Sequence, residues 1–109
     1  MVIEVRQYRT AAGEIPFESW LAGLGDAKAQ ARIAARLDRL AAGNFGDCKP
    51  IGHGVSELRI DYGPGYRVYH SRIGREFVLL LCGGTKRRQF ADIARAIEYL
   101  KDFLRRSAK

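Results

Sequence analysis

Cysteine, histidine, proline and long apolar runs are all scarce in this chain, and each scarcity closes off a class of protein. Its 109 residues hold two cysteines, two histidines and three prolines. Cys48 and Cys82 are distant, and Cys82 sits in an apolar segment, so two reduced thiols are expected in place of a disulfide. Neither belongs to a Cys-x-x-Cys pair, and His53 and His70 add no zinc spacing, so neither a metal nor another cofactor is expected. The longest apolar run, Phe77 to Cys82, falls far short of the ~20 residues that cross a bilayer. Met1 to Arg9 carries Glu4 and Arg6 and no apolar export segment, so a cytoplasmic location is expected, with no membrane partner. Negative charge is short as well. Twelve Asp and Glu face nineteen Lys and Arg, a net charge of +7. Such an excess favours polyanionic partners, and charge alone does not choose among nucleic acid, an anionic surface and an acidic protein.

What is present is the composition of one folded domain over residues 1–109, 47% hydrophobic and 28% charged, with a single core and no linker or repeat. The segment Val2 to Tyr8 alternates with period two and predicts a strand with one wet face. A short helix is expected from Pro16, with Phe17, Trp20, Leu21 and Leu24 on one side. A second, alanine-rich helix is expected from about Ala27 to Ala42, its core face at Ile33, Leu37 and Leu40. Lys28, Arg32, Arg36 and Arg39 form a basic stripe on another face. It reads either as a solvated face or as a track for a phosphate backbone.

Phe45 to Gly54, rich in glycine, is expected to be a loop. Strands follow at Val55–Tyr62 and from Tyr66, joined by a tight Gly63-Pro64-Gly65 turn, with Tyr62 expected opposite Tyr66 and Asp61 opposite Arg67. That pairing collects Glu57, Arg59, Asp61, Arg67, Tyr69 and Ser71 on one polar face and turns His70 towards the core. Glu76 to Cys82 is apolar on both faces, as in a strand buried in mid-sheet. Gly83-Gly84 is expected to end it in a turn. The last helix, from about Arg88 to Arg105, has its expected core face at Phe90, Ile93, Ile97, Leu100 and Leu104.

The chemistry concentrates between Val55 and Ile97. Arg59 and Arg67 can hold phosphate oxygens bidentately, Lys86 can act as a point charge, and Gln89 can contact a base edge or a phosphate. Arg87 and Arg88 extend the basic turn as candidate RNA contacts, the alternative for Lys86 to Arg88 being a solvated turn. RNA cleavage without a metal needs a base, an acid and cations for the charge developing on phosphorus. Tyr69, His70 and Lys86 are the residues able to move protons, and Arg59 and Arg67 are the cations. His70 reads equally well as a hydrogen-bonded core residue, and Arg67 as the ion-pair partner of Asp61.

The motifs Glu57-Leu58-Arg59-Ile60, Gly63-Pro64-Gly65-Tyr66-Arg67-Val68-Tyr69 and Leu79-Leu80-Leu81-Cys82-Gly83-Gly84-Thr85-Lys86, followed by Gln89, Asp92-Ile93-Ala94 and Ala96, resemble the RelE/ParE superfamily of type II toxins. The resemblance is to its HigB-like branch of phage-derived addiction-module killer proteins. It implies an α+β, RelE-like fold with a mainly antiparallel four-stranded sheet, two N-terminal helices and a C-terminal helix, in the order β-α-α-β-β-β-α. It also implies a toxin that cleaves mRNA in the ribosome without a metal or cofactor. The implied partners are the ribosome, mRNA and a cognate helix-turn-helix antitoxin through which operator DNA is bound. By the same resemblance Arg67, Lys86, Gln89 and Arg59 fall on the motif's functional positions. Arg87-Arg88 stand where the branch often has small hydroxyl residues, and His70 where many relatives have tyrosine. The alternatives are a non-enzymatic DNA gyrase inhibitor of the ParE type and a non-toxic nucleic-acid-binding relative.

Overall fold

A computed structural model describes residues 2–108 as an α+β domain with one mixed sheet between two helical layers. The elements are β1 (Glu4–Gln7), α1 (Pro16–Ala22), α2 (Ala27–Ala41), β2 (Cys48–Gly52), β3 (Val55–Ile60), β4 (Tyr66–Ile73), β5 (Phe77–Thr85), a single 3₁₀ turn (Lys86–Arg88) and α3 (Gln89–Ser107). The sheet order is β1-β5-β4-β3-β2, with β1 parallel to β5 and the other pairs antiparallel. Five strands therefore stand where four were expected. The extra one is β2, drawn from the glycine-rich segment expected to be a loop. It pairs with β3 through Cys48, Lys49 and Pro50, and Pro50 is accommodated because β2 is an edge.

Each helical layer buries one face of the sheet. Phe17, Ala29, Ile33 and Leu40 from α1 and α2 pack on Leu58, Ile60, Tyr66, Val68, Val78 and Leu80. On the other side Ala96 and Leu100 of α3 pack on Val55, Tyr69, Leu79, Leu81 and Cys82. Asp26 caps α2, its carboxylate accepting from the backbone N–H groups of Lys28 and Ala29 at 3.1 Å.

Three expectations change in ways that matter for the site. The β3–β4 pairing closes on Ile60 opposite Tyr66 and sets Arg59 opposite Arg67, two residues away from the expected register. The connection takes in Asp61 and Tyr62 as well as the glycines, and Arg32 lies over the freed Tyr62 ring at 4.5 Å. A shift of two keeps every side chain on its face, so the polar face survives. Gly83 and Gly84 do not make a turn, since β5 runs through them to Thr85. Glycine is needed there for closeness: a Cβ at Gly83 would overlap the Trp20 ring, and one at Gly84 would overlap the Asp92 carboxylate. Finally, α3 is rotated from its expected face. Asp92, Ala96 and Leu100 are buried, whereas Phe90 and Leu104 are exposed. Aromatic contacts set that rotation, with Tyr99 stacked on Tyr8 at 4.9 Å and Phe103 edge-on to Phe77 at 6.1 Å.

Candidate functional site

Alternation along β3 and β4 puts Glu57, Arg59, Arg67 and Tyr69 on the sheet face towards α3. The chain then returns along β5, and the backbone N–H of Lys86 donates to the Gly65 carbonyl at 2.7 Å, which brings the turn after β5 against the β3–β4 connection. Gly65 has φ of 81°, and a Cβ there would sit 3.4 Å from Lys86 Cβ and 3.6 Å from Arg67 Nη1. Those are ordinary van der Waals distances, so glycine is called for by the left-handed backbone of the turn and not by crowding. The result is a cleft of about 210 Å³ lined by Asp47, Arg59, Asp61, Gly65, Arg67 and Lys86.

Glu57 organises the floor of this cleft. Its side chain is 2% exposed, with Arg67 Nε at 3.6 Å and Arg59 Nε at 3.8 Å. Gln89, the first residue of α3, donates from Nε2 to Glu57 Oε2 at 2.6 Å. Arg67 also donates to the Tyr66 carbonyl at 3.2 Å. Among the described residues, neither Arg59 Nε nor Arg67 Nε finds a hydrogen-bond acceptor, because the carboxylates near them stand too far off or off-axis. The arginines are therefore held by charge and left with unused donor capacity.

The cleft is less purely cationic than the sequence predicted. Asp47, contributed by the segment before β2, stands 3.4 Å from Arg59, and Asp61 also lines the space. The Asp47 side chain is largely exposed, so its hold on Arg59 is a weak, screened one. Arg67 pairs with Glu57 and not with Asp61. Sequence reasoning put Glu57 on this polar face without pairing it with the arginines, and it missed Asp47. The Glu-x-Arg spacing on one strand face was visible for the first, while nothing in the sequence places Asp47 beside Arg59.

Arg59, Arg67, Lys86 and, through Glu57, Gln89 thus come together. Tyr69 lies beneath them, fully buried, its hydroxyl without a hydrogen-bond partner among the described residues. Burial, with the Glu57 and Asp92 carboxylates adding to it, pushes the phenol far above its ordinary range, so it stays protonated. His70 is not brought to the cleft. It is buried on the opposite sheet face, its Nε2 3.7 Å from Cys48 Sγ and its ring 6.4 Å from Phe45. Burial lowers its pKa and keeps the ring neutral.

The basic stripe divides. Arg36 is structural: it donates to the Arg59 carbonyl at 2.7 Å and to the Phe45 carbonyl at 3.4 Å, tying α2 to β3. Arg32 and Arg39 line a second cleft of about 210 Å³, which shares Asp61 with the first, so the two basic surfaces adjoin. Arg87, next to Lys86 in the chain, is exposed. Arg88 turns instead to a smaller cleft of about 130 Å³ with Trp20, Asp92 and Arg95. Among the described residues no three His, Cys, Asp or Glu side chains converge to hold a metal, and no helix is long and apolar enough to cross a membrane.

No family model matches the chain. A protein of Haemophilus influenzae (strain Rd), described as an uncharacterized protein, is 50% identical to it over 82 residues, covering 75% of this chain and 83% of that protein. The chain belongs to that protein's family. The relative's description assigns no activity, so the functional reading rests on the cleft. What the cleft can do chemically is bind a phosphate-sized anion between two planar guanidiniums and an ammonium, with α3 positioned above by Gln89.

Proposed function

We propose that this chain is the toxin of a type II toxin-antitoxin pair with a RelE-like fold, an endoribonuclease that cuts mRNA in the ribosome and arrests translation. The observation that carries the reading is the convergence of Arg59, Arg67 and Lys86 on one cleft. A scissile phosphate seated there meets the parts of Arg59 and Arg67 that line the cleft, while their buried Nε atoms stay against Glu57. In this reading the guanidiniums stabilise the charge that grows on phosphorus as the 2′-hydroxyl attacks, the Asp61 carboxylate on the cleft wall accepts the 2′-hydroxyl proton, and Lys86 protonates the departing 5′-oxygen. Glu57 is a positioning residue that fixes both arginines and, through Gln89, the start of α3. Tyr69 supports the floor and does not reach the substrate. His70, on the far face, takes no part in the chemistry.

Arg32 and Arg39, exposed beside the cleft, and Arg87, exposed next to Lys86, would carry flanking phosphates. Asp47 competes with the substrate for Arg59 and gives way on binding. The partners of this reading are the ribosome, mRNA and a helix-turn-helix antitoxin that alone contacts operator DNA, all in the cytoplasm.

Inducible expression followed by mapping of mRNA 5′ ends tests it. Codon-spaced cuts in translated messages, lost together with growth arrest in Arg67→Ala while antitoxin binding persists, are the expected result. Intact mRNA with stalled replication would replace this reading with gyrase inhibition.

A further inference from the structure

The cleft at the end of β5 takes no part in the function proposed above. β1 pairs with β5 only as far as Leu80, so among the described residues the last part of β5 meets no strand on that side. Trp20 lies over Gly83 from one face of the sheet and Asp92 over Gly84 from the other, each seated where a Cβ would stand. Thr85, Arg88 and Arg95 complete the lining of a space of about 130 Å³. That is room for about four water-sized groups, and none of its residues lines the cleft of Arg59, Arg67 and Lys86.

Asp92 is the unusual member. It is 3% exposed, and its Oδ2 has no hydrogen-bond partner among the described residues. Arg95 holds Nη1 3.9 Å from Oδ1, an ion-pair separation too long for a hydrogen bond. A buried carboxylate held this way is costly, and a donor seated in the cleft relieves the cost. Burial pushes its pKa up, while Arg88 and Arg95 pull it down.

Charge and proton count together select the ligand. Two exposed guanidiniums against one carboxylate leave the cleft with an excess of positive charge, which favours an anion over a neutral zwitterion. The carboxylate then rejects any anion with no proton to offer it. An internal RNA phosphodiester, a sulfate ion and an ionised phosphate monoester all lack that proton. A free phosphate ion keeps one at neutral pH.

We propose that this cleft binds a free hydrogen phosphate ion. Arg88 and Arg95 donate to its oxygens, with the Thr85 hydroxyl in the same lining, and its P–OH group donates to Asp92 Oδ1. One tetrahedral ion of four oxygens matches the volume, whereas a nucleotide overfills it. The site is independent of the RNA cleft and stands without the toxin reading.

Trp20 is the chain's single tryptophan, so its fluorescence reports on this cleft. The full chain is titrated at constant ionic strength and about pH 8, where a phosphate monoester is ionised. Inorganic phosphate is expected to change the Trp20 emission saturably, with sulfate, methyl phosphate and glycine binding at least about tenfold more weakly. Arg95→Gln, at an exposed position, should keep the parent melting temperature and weaken phosphate binding by at least about tenfold. Asp92→Asn keeps the shape and adds donors, so sulfate should then bind at least as tightly as phosphate. Arg67→Ala should leave the Trp20 response intact.

Equal affinity of the unmodified chain for sulfate, methyl phosphate or glycine would overturn the proposal, since the proton on the anion would not be what is read. So would the lack of a saturable response to phosphate, or a response unchanged by Arg95→Gln. A response lost in Arg67→Ala would assign the anion to the RNA cleft and likewise overturn it. Should Asp92→Asn fail to fold, Arg95→Gln and the comparison of anions on the unmodified chain decide alone.

Discussion

Replacing Glu57 tests whether one buried carboxylate holds the cleft together. Its side chain is 2% exposed and that of Arg67 is 10% exposed, with 3.6 Å between Oε1 and Nε. At an effective dielectric constant near 20, charges at that separation attract by ~4–5 kcal/mol, much of which offsets the cost of desolvating them. The net value of the pair is thus modest, but the consequence of breaking it is large. Glu57→Ala leaves Arg67 buried without a counter-ion and Gln89 Nε2 without its acceptor, which should cost about 3–5 kcal/mol. Glu57→Gln keeps the shape and an acceptor oxygen for Gln89, and should cost about 1.5–3 kcal/mol. In a domain of this size that is a fall of roughly 6–15 °C in Tm.

Urea denaturation of Glu57→Gln, Arg67→Met and the double variant isolates the pair. The double variant should be more stable than the sum of the single losses predicts, by at least about 1 kcal/mol, since each single change strands its partner. Additivity within about 0.5 kcal/mol would refute the argument that Glu57 compensates Arg67. A Glu57→Ala protein that unfolds at the same urea concentration as its parent would refute the wider claim about the floor.

Asp47→Asn frees Arg59 from a screened competitor, so titration with inorganic phosphate should show binding tightened by about two- to fivefold, an effect that shrinks at high salt. Arg36→Ala should destabilise the fold by about 1–2 kcal/mol through its lost carbonyl contacts, whereas Arg39→Ala should leave stability within about 0.5 kcal/mol; chemical denaturation reads both. Gly84→Ala must displace Asp92 from the start of α3 and should cost about 1–3 kcal/mol, seen as a lower Tm. His70 has a pKa lowered below 6.5 by burial, so the unfolded chain takes up its proton first as pH falls. Stability associated with this ring is full above about pH 7.5 and declines through about pH 6.5. His70→Phe should flatten the dependence of Tm on pH between about 5 and 7.

The local pattern of the sequence determined which side chains share a face. Period-two alternation in Val55–Ile60 and Tyr66–Ile73 put Arg59, Arg67 and Tyr69 on one side and His70 on the other, and a two-residue slip in the expected register left that division intact because the strand period is two. The alanine-rich α2, the start of α1 at Pro16 and the fully buried β5 were legible for the same reason: their periodicity and end signals are local. Tertiary structure decided everything that depended on what stands across from a face. The pairing of Cys48–Gly52 with β3 made a strand from a glycine-rich segment, because a sheet edge supplies hydrogen bonds that local propensity does not record. Trp20 and Asp92, approaching from opposite sides, turned Gly83-Gly84 from a turn into strand. Aromatic contacts with Tyr8 and Phe77 rotated α3 so that Phe90 faced out. Sequence alone could name the arginines. Only the folded chain could set Glu57 beneath them and Asp47 beside them, because an ion pair forms where a carboxylate is brought within reach, and reach is a property of the whole fold.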